Sequence, residues 1–191
     1  MTTGVSVEIS LRFARGLLAI LLLAPPAAAQ WDELVGDVPY VPTPPEVVEA
    51  MLKLAGVKKG DVVYDLGCGD GRIVVTAAKK YEARGVGIDI NPERIQEAVA
   101  NAREKGVADR VRFIEKNLFE ADVHEATVVT LYLLPEVNLK LRPILLKQLK
   151  PGTRIVSHSF DMGDWGPDKK VQVNGRTLYL WILTEKNKTQ P

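Results

Sequence analysis

The sequence predicts an α/β fold: a mainly parallel sheet of seven strands that finishes in an antiparallel hairpin. Three observations predict it. From Asp61 onward, strand-like and helix-like runs alternate, the pattern of a parallel sheet with right-handed crossovers. The first strand-like run ends in Asp65 and enters a loop with glycines at 67, 69 and 71, followed at once by a helical pattern. Near the end, Asn174-Gly175 separates two strand-like runs, a strong hairpin signal because a type I′ turn needs two residues at positive φ.

The elements follow in order. Residues 30–45 are rich in proline (Pro39, Pro42, Pro44, Pro45) and read as extended chain. Thr43 reads as a helix N-cap, with Glu46 three residues on completing a capping box and Pro44 and Pro45 in the first turn. Val47, Val48, Met51, Leu52 and Leu54 then form an apolar face, and Gly56 ends the helix. DVVYDL (61–66) is a buried strand, 72–81 a helix, and GVGIDI (85–90) a second strand. Asn91 caps a helix with Pro92 at its first position, Ile95, Ala98, Val99 and Ala102 on one face, and Gly106 past its end. VRFIE (111–115) and ATVVTLYLL (126–134) are the next strands, 136–149 a helix, and TRIVSHSF (153–160) the fifth strand. Residues 161–170 are broken by glycine and proline and read as a loop. The chain from Lys186 is polar and reads as a frayed tail.

The N-terminal 29 residues stand apart. Arg12 and Arg15 precede an apolar run at 16–24, then Pro25-Pro26 and Ala27-Ala28-Ala29. This is the layout of a secretory signal peptide, and the run falls short of the roughly 20 residues of a membrane span. No Lys or Arg occurs from Gly16 to Leu52, which also directs the rest of the chain outward. The expected organisation is a signal peptide at 1–29, an extended segment and helix at 30–56, a ligand-binding domain at 57–185 and a tail at 186–191. Export, to the periplasm or beyond, is the expected location. The alternative is a cytoplasmic or membrane-associated protein with an uncleaved N-terminal segment.

Composition narrows the partners. The 191 residues are 46% hydrophobic and 26% charged, with a net charge of +1, an ordinary globular balance. Residues 1–29 carry that one charge (Arg12 and Arg15 against Glu8), so the remainder is neutral. No basic field is left to hold a nucleic acid backbone. A single cysteine, Cys68, excludes an internal disulfide, and two histidines with one cysteine offer no metal site.

The glycine loop carries the chemistry. Glycines let the backbone turn sharply and approach a ligand closely, and a helix N-terminus presents free N–H groups that suit a carboxylate. Asp89 ends the second strand about 20 residues on, where a carboxylate can accept from both ribose hydroxyls. Arg72 stands where the dinucleotide pattern needs glycine or alanine, and Asp65 and Asp70 would repel a pyrophosphate. S-adenosylmethionine (SAM) has no phosphate and carries a sulfonium and an ammonium, so the acids favour it. Cys68, inside the loop, reads as a small apolar filler of the site rather than a reactive thiol.

DLGCGDG (65–71) followed by GVGIDINPERI (85–95) resembles the first two SAM motifs of class I methyltransferases, whose Rossmann-like sheet ends in an antiparallel hairpin. VPYVPTP (38–44), VTLYLLPEVNLKLRP (129–143) and LKPGTRIVSHSF (149–160) resemble a narrower group. These are the protein-lysine methyltransferases of the mitochondrial ATP synthase c-subunit and adenine nucleotide translocase, and the broad-specificity archaeal lysine methyltransferases. The resemblance covers about residues 38–165. It implies that Asp65, Gly67 and Gly69 hold the methionine end of SAM. Asp89 would hold the ribose, Ile90 would pack on adenine, and Asn117-Leu118 would lie at the adenine edge. Many members carry Asp at 117, so the Asn implies a weaker or reorganised contact there. Tyr40 and Thr43 would fold over the cofactor, with Thr130 and Tyr132 beside the methyl group. The implied reaction is in-line transfer to a lysine of a protein substrate.

Local readings stand beside these. Thr43 is explained equally by its cap, and Tyr132 could be a core aromatic. Ser157-His158 is no hydrolase pair, since neighbours on a strand face opposite ways. Phe160 and Trp165 either line an acceptor channel or cover the core. A small-molecule acceptor, or an exported binding module without catalysis, are the rival functions. The oligomeric state is not written in the sequence.

Overall fold

The computed structural model describes residues 40–188. The proposed signal peptide and residues 30–39 lie outside them. The described elements are α1 (Pro45–Leu54), β1 (Val62–Leu66), α2 (Arg72–Tyr81), β2 (Arg84–Asp89), α3 (Pro92–Glu104), β3 (Val111–Glu115), a 3₁₀ turn (Leu118–Glu120), β4 (Val128–Leu131), α4 (Pro135–Gln148), β5 (Arg154–His158), β6 (Lys169–Val173), β7 (Arg176–Ile182) and α5 (Glu185–Lys188). They build one seven-stranded sheet in the order β3-β2-β1-β4-β5-β7-β6. The first five are mutually parallel, and β7 runs antiparallel between β5 and β6. The strand order reverses between β1 and β4, which is where an open α/β sheet binds its ligand.

Strand parity sorts the side chains into two layers of core. Val63, Val128, Val156, Leu178 and Leu180 face α1 and α2, packing on Val47, Met51, Leu52 and Val74. Tyr64, Leu66, Leu131, Ile155 and Trp181 face α4, packing on Val137, Leu141 and Leu145. The same parity puts Asp65, Thr130 and His158 on the α1 side, at the carboxyl ends of three central strands.

Most of the local chemistry is as read. Asn91 caps α3, its side chain accepting from the Glu93 amide at 2.8 Å, with Pro92 in the first turn. Asn174 and Gly175 have φ of 49° and 76°, and β6 and β7 flank them. Three expectations change. Thr43 is not the N-cap of α1: the helix starts at Pro45 from Pro44, whose carbonyl accepts from the Val47 and Val48 amides, and no side chain caps it. The proline ring fixes the entry angle, and the Thr43 hydroxyl is committed elsewhere. β4 stops at Leu131, so Tyr132 lies just beyond it. The start of the expected tail is a short helix, Glu185–Lys188, closed by hydrogen bonds between Thr184 and Asn187. No helix among the described residues is long and apolar enough to cross a membrane.

Candidate active site

The turn after β1 crosses the sheet at its switch point. The amides of Gly67 and Cys68 both donate to the Ile88 carbonyl, at 2.8 and 3.0 Å, which locks the loop to the end of β2. The Gly69 amide donates to Asp89 at 2.8 Å, Gly71 to the Cys68 carbonyl, and Arg72 to Asp70. The amides of Gly67, Cys68, Gly69, Gly71 and Arg72 are therefore engaged within the loop itself. A phosphate would meet like charge here from Asp70 and Asp89. What the loop offers a ligand is carboxylate.

Asp65 is the deepest of these. It is 3% exposed, and the Thr130 hydroxyl, opposite it in the β1–β4 register, donates to it at 2.6 Å. Burial pushes its carboxyl up to about 7; the Thr130 bond opposes that shift, and the neighbouring Asp89 and Asp70 charges add to it. Asp89 accepts the Gly69 amide on one oxygen and the Asn91 amide on the other. Asp70 is desolvated too, yet a fork of bonds from Arg72 holds its carboxyl below the ordinary value. Cys68 is buried, which drives its thiol far above its usual range, with Asp65 and Asp89 pushing the same way. It is a filler, not a nucleophile. A side chain at Gly87 would collide with its sulfur at 2.8 Å and with Phe113 at 2.6 Å, so that glycine makes room for the packing beneath the loop.

The segment before α1 crosses the loop from above. Arg72 donates to the Thr43 carbonyl at 2.9 Å while it grips Asp70. The Tyr40 ring lies on Gly69, where a β-carbon would come within 2.4 Å of it, and the Arg94 guanidinium sits 4.6 Å from the ring centre. Gly69 is required both for its φ of 52° and for this approach.

These walls enclose a cavity of about 640 Å³, ample for a nucleoside-sized ligand. Of the residues singled out in the sequence, Tyr40, Thr43, Asp65, Gly67, Cys68, Gly69, Asp89, Ile90, Leu118 and Tyr132 line it. Two do not. Asn117 spends its side chain capping the 3₁₀ turn, accepting from the Phe119 amide at 3.0 Å, and Lys116 takes a place on the wall instead. Thr130 is fully buried beneath Asp65 and supports it from behind. Phe160 lines the cavity, whereas Trp165 packs against Trp181 and its carbonyl accepts from the Trp181 indole N–H, so it covers the core. Val41, Leu133, Leu134 and Val137 complete an apolar end that the sequence did not single out. The TLYLLP run was the available signal, but only the fold shows which of its side chains turn inward.

The cavity is lined by the acids Asp65, Asp70 and Asp89, by Arg72, Arg94 and Lys116, and by the apolar side chains of Leu133, Leu134, Val137 and Phe160; Arg72 is held by Asp70 and Arg94 by Glu97. A SAM-sized ligand with two cationic groups fits this donor set, because a cation beside the buried Asp65 favours its ionised form. Fold and site together define a class I, SAM-dependent methyltransferase, with SAM as the methyl donor. Residues 65–169 match the ANTKMT methyltransferase domain, and the chain belongs to that family. A protein-lysine N-methyltransferase of Saccharolobus islandicus is 51% identical over 156 residues, spanning 79% of this chain and 97% of that one. The adenine nucleotide translocase lysine N-methyltransferase of Mus musculus is 33% identical over 131 residues, 69% of this chain and 57% of that relative. Among solved structures, one described as an RNA methyltransferase from Salinibacter ruber, in complex with S-adenosyl-L-homocysteine, superposes with a TM-score of 0.75 at 61% identity. It covers 76% of this chain and 95% of that one.

Proposed function

We propose that the protein methylates lysine side chains of protein substrates. The observation that carries this reading is the acceptor end of the cavity, where Tyr132, Leu133, Leu134, Val137 and Phe160 form a wall without a charged side chain. An amine entering such a wall is favoured in its uncharged, nucleophilic form, because desolvation disfavours the cation. The name of the Saccharolobus islandicus relative supports the same acceptor. Bound in the cavity, SAM would supply a methyl group activated by its sulfonium; the neutral amine would take the methyl carbon in line as the carbon–sulfur bond breaks and the sulfur leaves as a neutral thioether. The residues' task is then alignment, worth about 7–11 kcal/mol in favourable cases. Asp65 and the 67–69 loop orient the methionine end, Asp89 the ribose, and Ile90 and Leu118 the adenine. Tyr132 excludes water beside the transferred methyl, and its ring face attracts the sulfonium. Tyr40 and Thr43 cover the cofactor.

An RNA acceptor is the second reading, favoured by the description of the Salinibacter ruber structure. The near-neutral charge of the chain argues against it. One experiment separates them: the purified protein is incubated with tritiated SAM and a cell extract, then treated with protease or ribonuclease. Label lost only to protease, and found on lysine by mass spectrometry, supports the proposal; label lost to ribonuclease overturns it. Tyr132→Ala should lower turnover tenfold or more while changing the Kd for SAM far less; normal turnover would make Tyr132 a core residue only. We also propose export through residues 1–29, which a reporter fused after residue 35 tests by its location.

A further inference from the structure

The end of β5 holds a side chain for which methyl transfer, as described so far, has no use. His158 is fully buried, behind the cavity wall rather than on it. Its position follows from register: β4 and β5 pair Leu131 with Ser157, and one residue further sets Tyr132 beside His158. Their rings stack with centroids 3.8 Å apart and planes 28° from parallel. On its other side, Nδ1 lies 3.3 Å from the Thr43 hydroxyl, a contact across 115 residues of chain. Among the described residues Nε2 has no hydrogen-bonding partner. A phenyl ring would fill the same space without burying an unpaired nitrogen, so packing alone does not account for an imidazole here.

The chain around it is held with unusual firmness. Ser159 adopts φ of 68°, a left-handed conformation uncommon outside glycine. Its amide donates to the Thr177 carbonyl at 2.8 Å, and the Phe160 amide turns back to the His158 carbonyl at 2.9 Å. This tight turn swings Phe160 into the cavity. The Asn138 amide, buried in the first turns of α4, donates to the Phe160 and Asp161 carbonyls at 3.3 and 3.2 Å and fixes the turn from the other layer.

We propose that His158 is a positioning residue for methyl transfer: the face of its ring sets Tyr132 against the acceptor end of the cavity, and its Nδ1 tethers Thr43 and so the segment that covers the cofactor. The two walls are thereby held at one spacing by a single side chain that touches neither ligand. Burial, helped by Arg176, lowers its pKa to about 4, so the ring is neutral at working pH and acts by shape and hydrogen bonding. The inference rests on the proposed function for its turnover arm and on SAM binding alone for its tether arm.

The test splits the two contacts. His158→Phe keeps a ring on Tyr132 and loses the tether; His158→Asn keeps a polar atom near Thr43 and loses the stack; Thr43→Val removes the hydroxyl without changing residue 158. The Kd for SAM is measured by calorimetry, and the rate at saturating SAM by tritium transfer to protein of a cell extract. His158→Phe should raise the Kd at least fivefold, more than it lowers the rate. His158→Asn should lower the rate at least tenfold, more than it raises the Kd. Thr43→Val should match the Kd of His158→Phe, and the double variant Thr43→Val/His158→Phe should be no weaker than either. Equal proportional losses in both quantities for both His158 variants, or additive losses in the double variant, would overturn the proposal. If the parent transfers no label to protein, the lysine reading fails, and the Kd arm with Thr43→Val still decides the tether.

Discussion

Taking the Asp65 carboxylate out of water beside Asp89 and Asp70 is unfavourable until a cation arrives, and the raised pKa of about 7 expresses that. A cationic ligand binds the ionised form, so binding must expel the proton. The affinity for SAM should therefore rise as pH increases through about 7 and level off above it. Asp65→Asn should bind SAM more weakly and lose that dependence; calorimetry between pH 6 and 8.5 measures both, and a variant that keeps the wild-type profile would show that the proton leaves another group. Asp65 and Asp89 were legible as an acidic pair because each ends a strand at the right interval from the glycines. Thr130 was legible as a site residue but not in its role, since only the β1–β4 register reveals that its hydroxyl is consumed by Asp65. Asn117 shows the opposite error. Asn after a strand is as well suited to capping a turn as to touching a ligand, and local capping won.

At the scale of elements, periodicity and turn residues carried most of the fold, because each strand and helix here is locally consistent with its neighbours. Asn91-Pro92 and Asn174-Gly175 each specify one backbone geometry. The covering segment was harder. Its prolines predict extended chain, but its path over the loop depends on Arg72 reaching the Thr43 carbonyl and on the Tyr40 ring meeting a glycine. Such contacts are invisible to local pattern. The β6–β7 hairpin has a second purpose besides completing the sheet. It inserts Trp181, fully buried, into the α4-side core, with its indole N–H satisfied by the Trp165 carbonyl at 2.8 Å. Trp181→Ala should destabilise the protein by about 3–5 kcal/mol, read from the midpoint of urea unfolding. A loss below about 1 kcal/mol would mean that the hairpin is not part of the cooperative core.

For the whole molecule, two buried groups pull the pH dependence of stability in opposite directions. Asp65 has a folded pKa raised to about 7. Between about 4 and 7 the native state keeps a proton that the unfolded chain has released, so this contribution falls as pH rises. His158 has a folded pKa lowered to about 4. Between about 4 and 6.5 the unfolded chain takes a proton that the native state refuses, so this contribution is present above 6.5 and lost as pH falls. Over the shared window the two slopes largely cancel, each worth at most about 1.4 kcal/mol per pH unit. Relative to the wild type, Asp65→Asn should lose stability on acidification from pH 6.5 to 4.5, and His158→Phe should gain it. Urea midpoints at three pH values measure both, and parallel curves for all three proteins would refute the assignment. This balance could not be read in the sequence, because burial of both groups is a product of strand parity at the sheet's centre.

The carboxylate of Asp89 holds the amide hydrogens of Gly69 and Asn91, one on each oxygen. Two loops that diverge in sequence thus share one latch, and each amide is released for exchange when that latch opens. Their exchange with deuterium should be governed by the same opening and slow together when the cavity fills, by about 100-fold at a SAM concentration 100 times its Kd. In Asp89→Ala the two amides should exchange at unrelated rates, with SAM protecting neither in step with the other. The pair would then serve as a report of occupancy, readable at two backbone positions before any methyl group has moved.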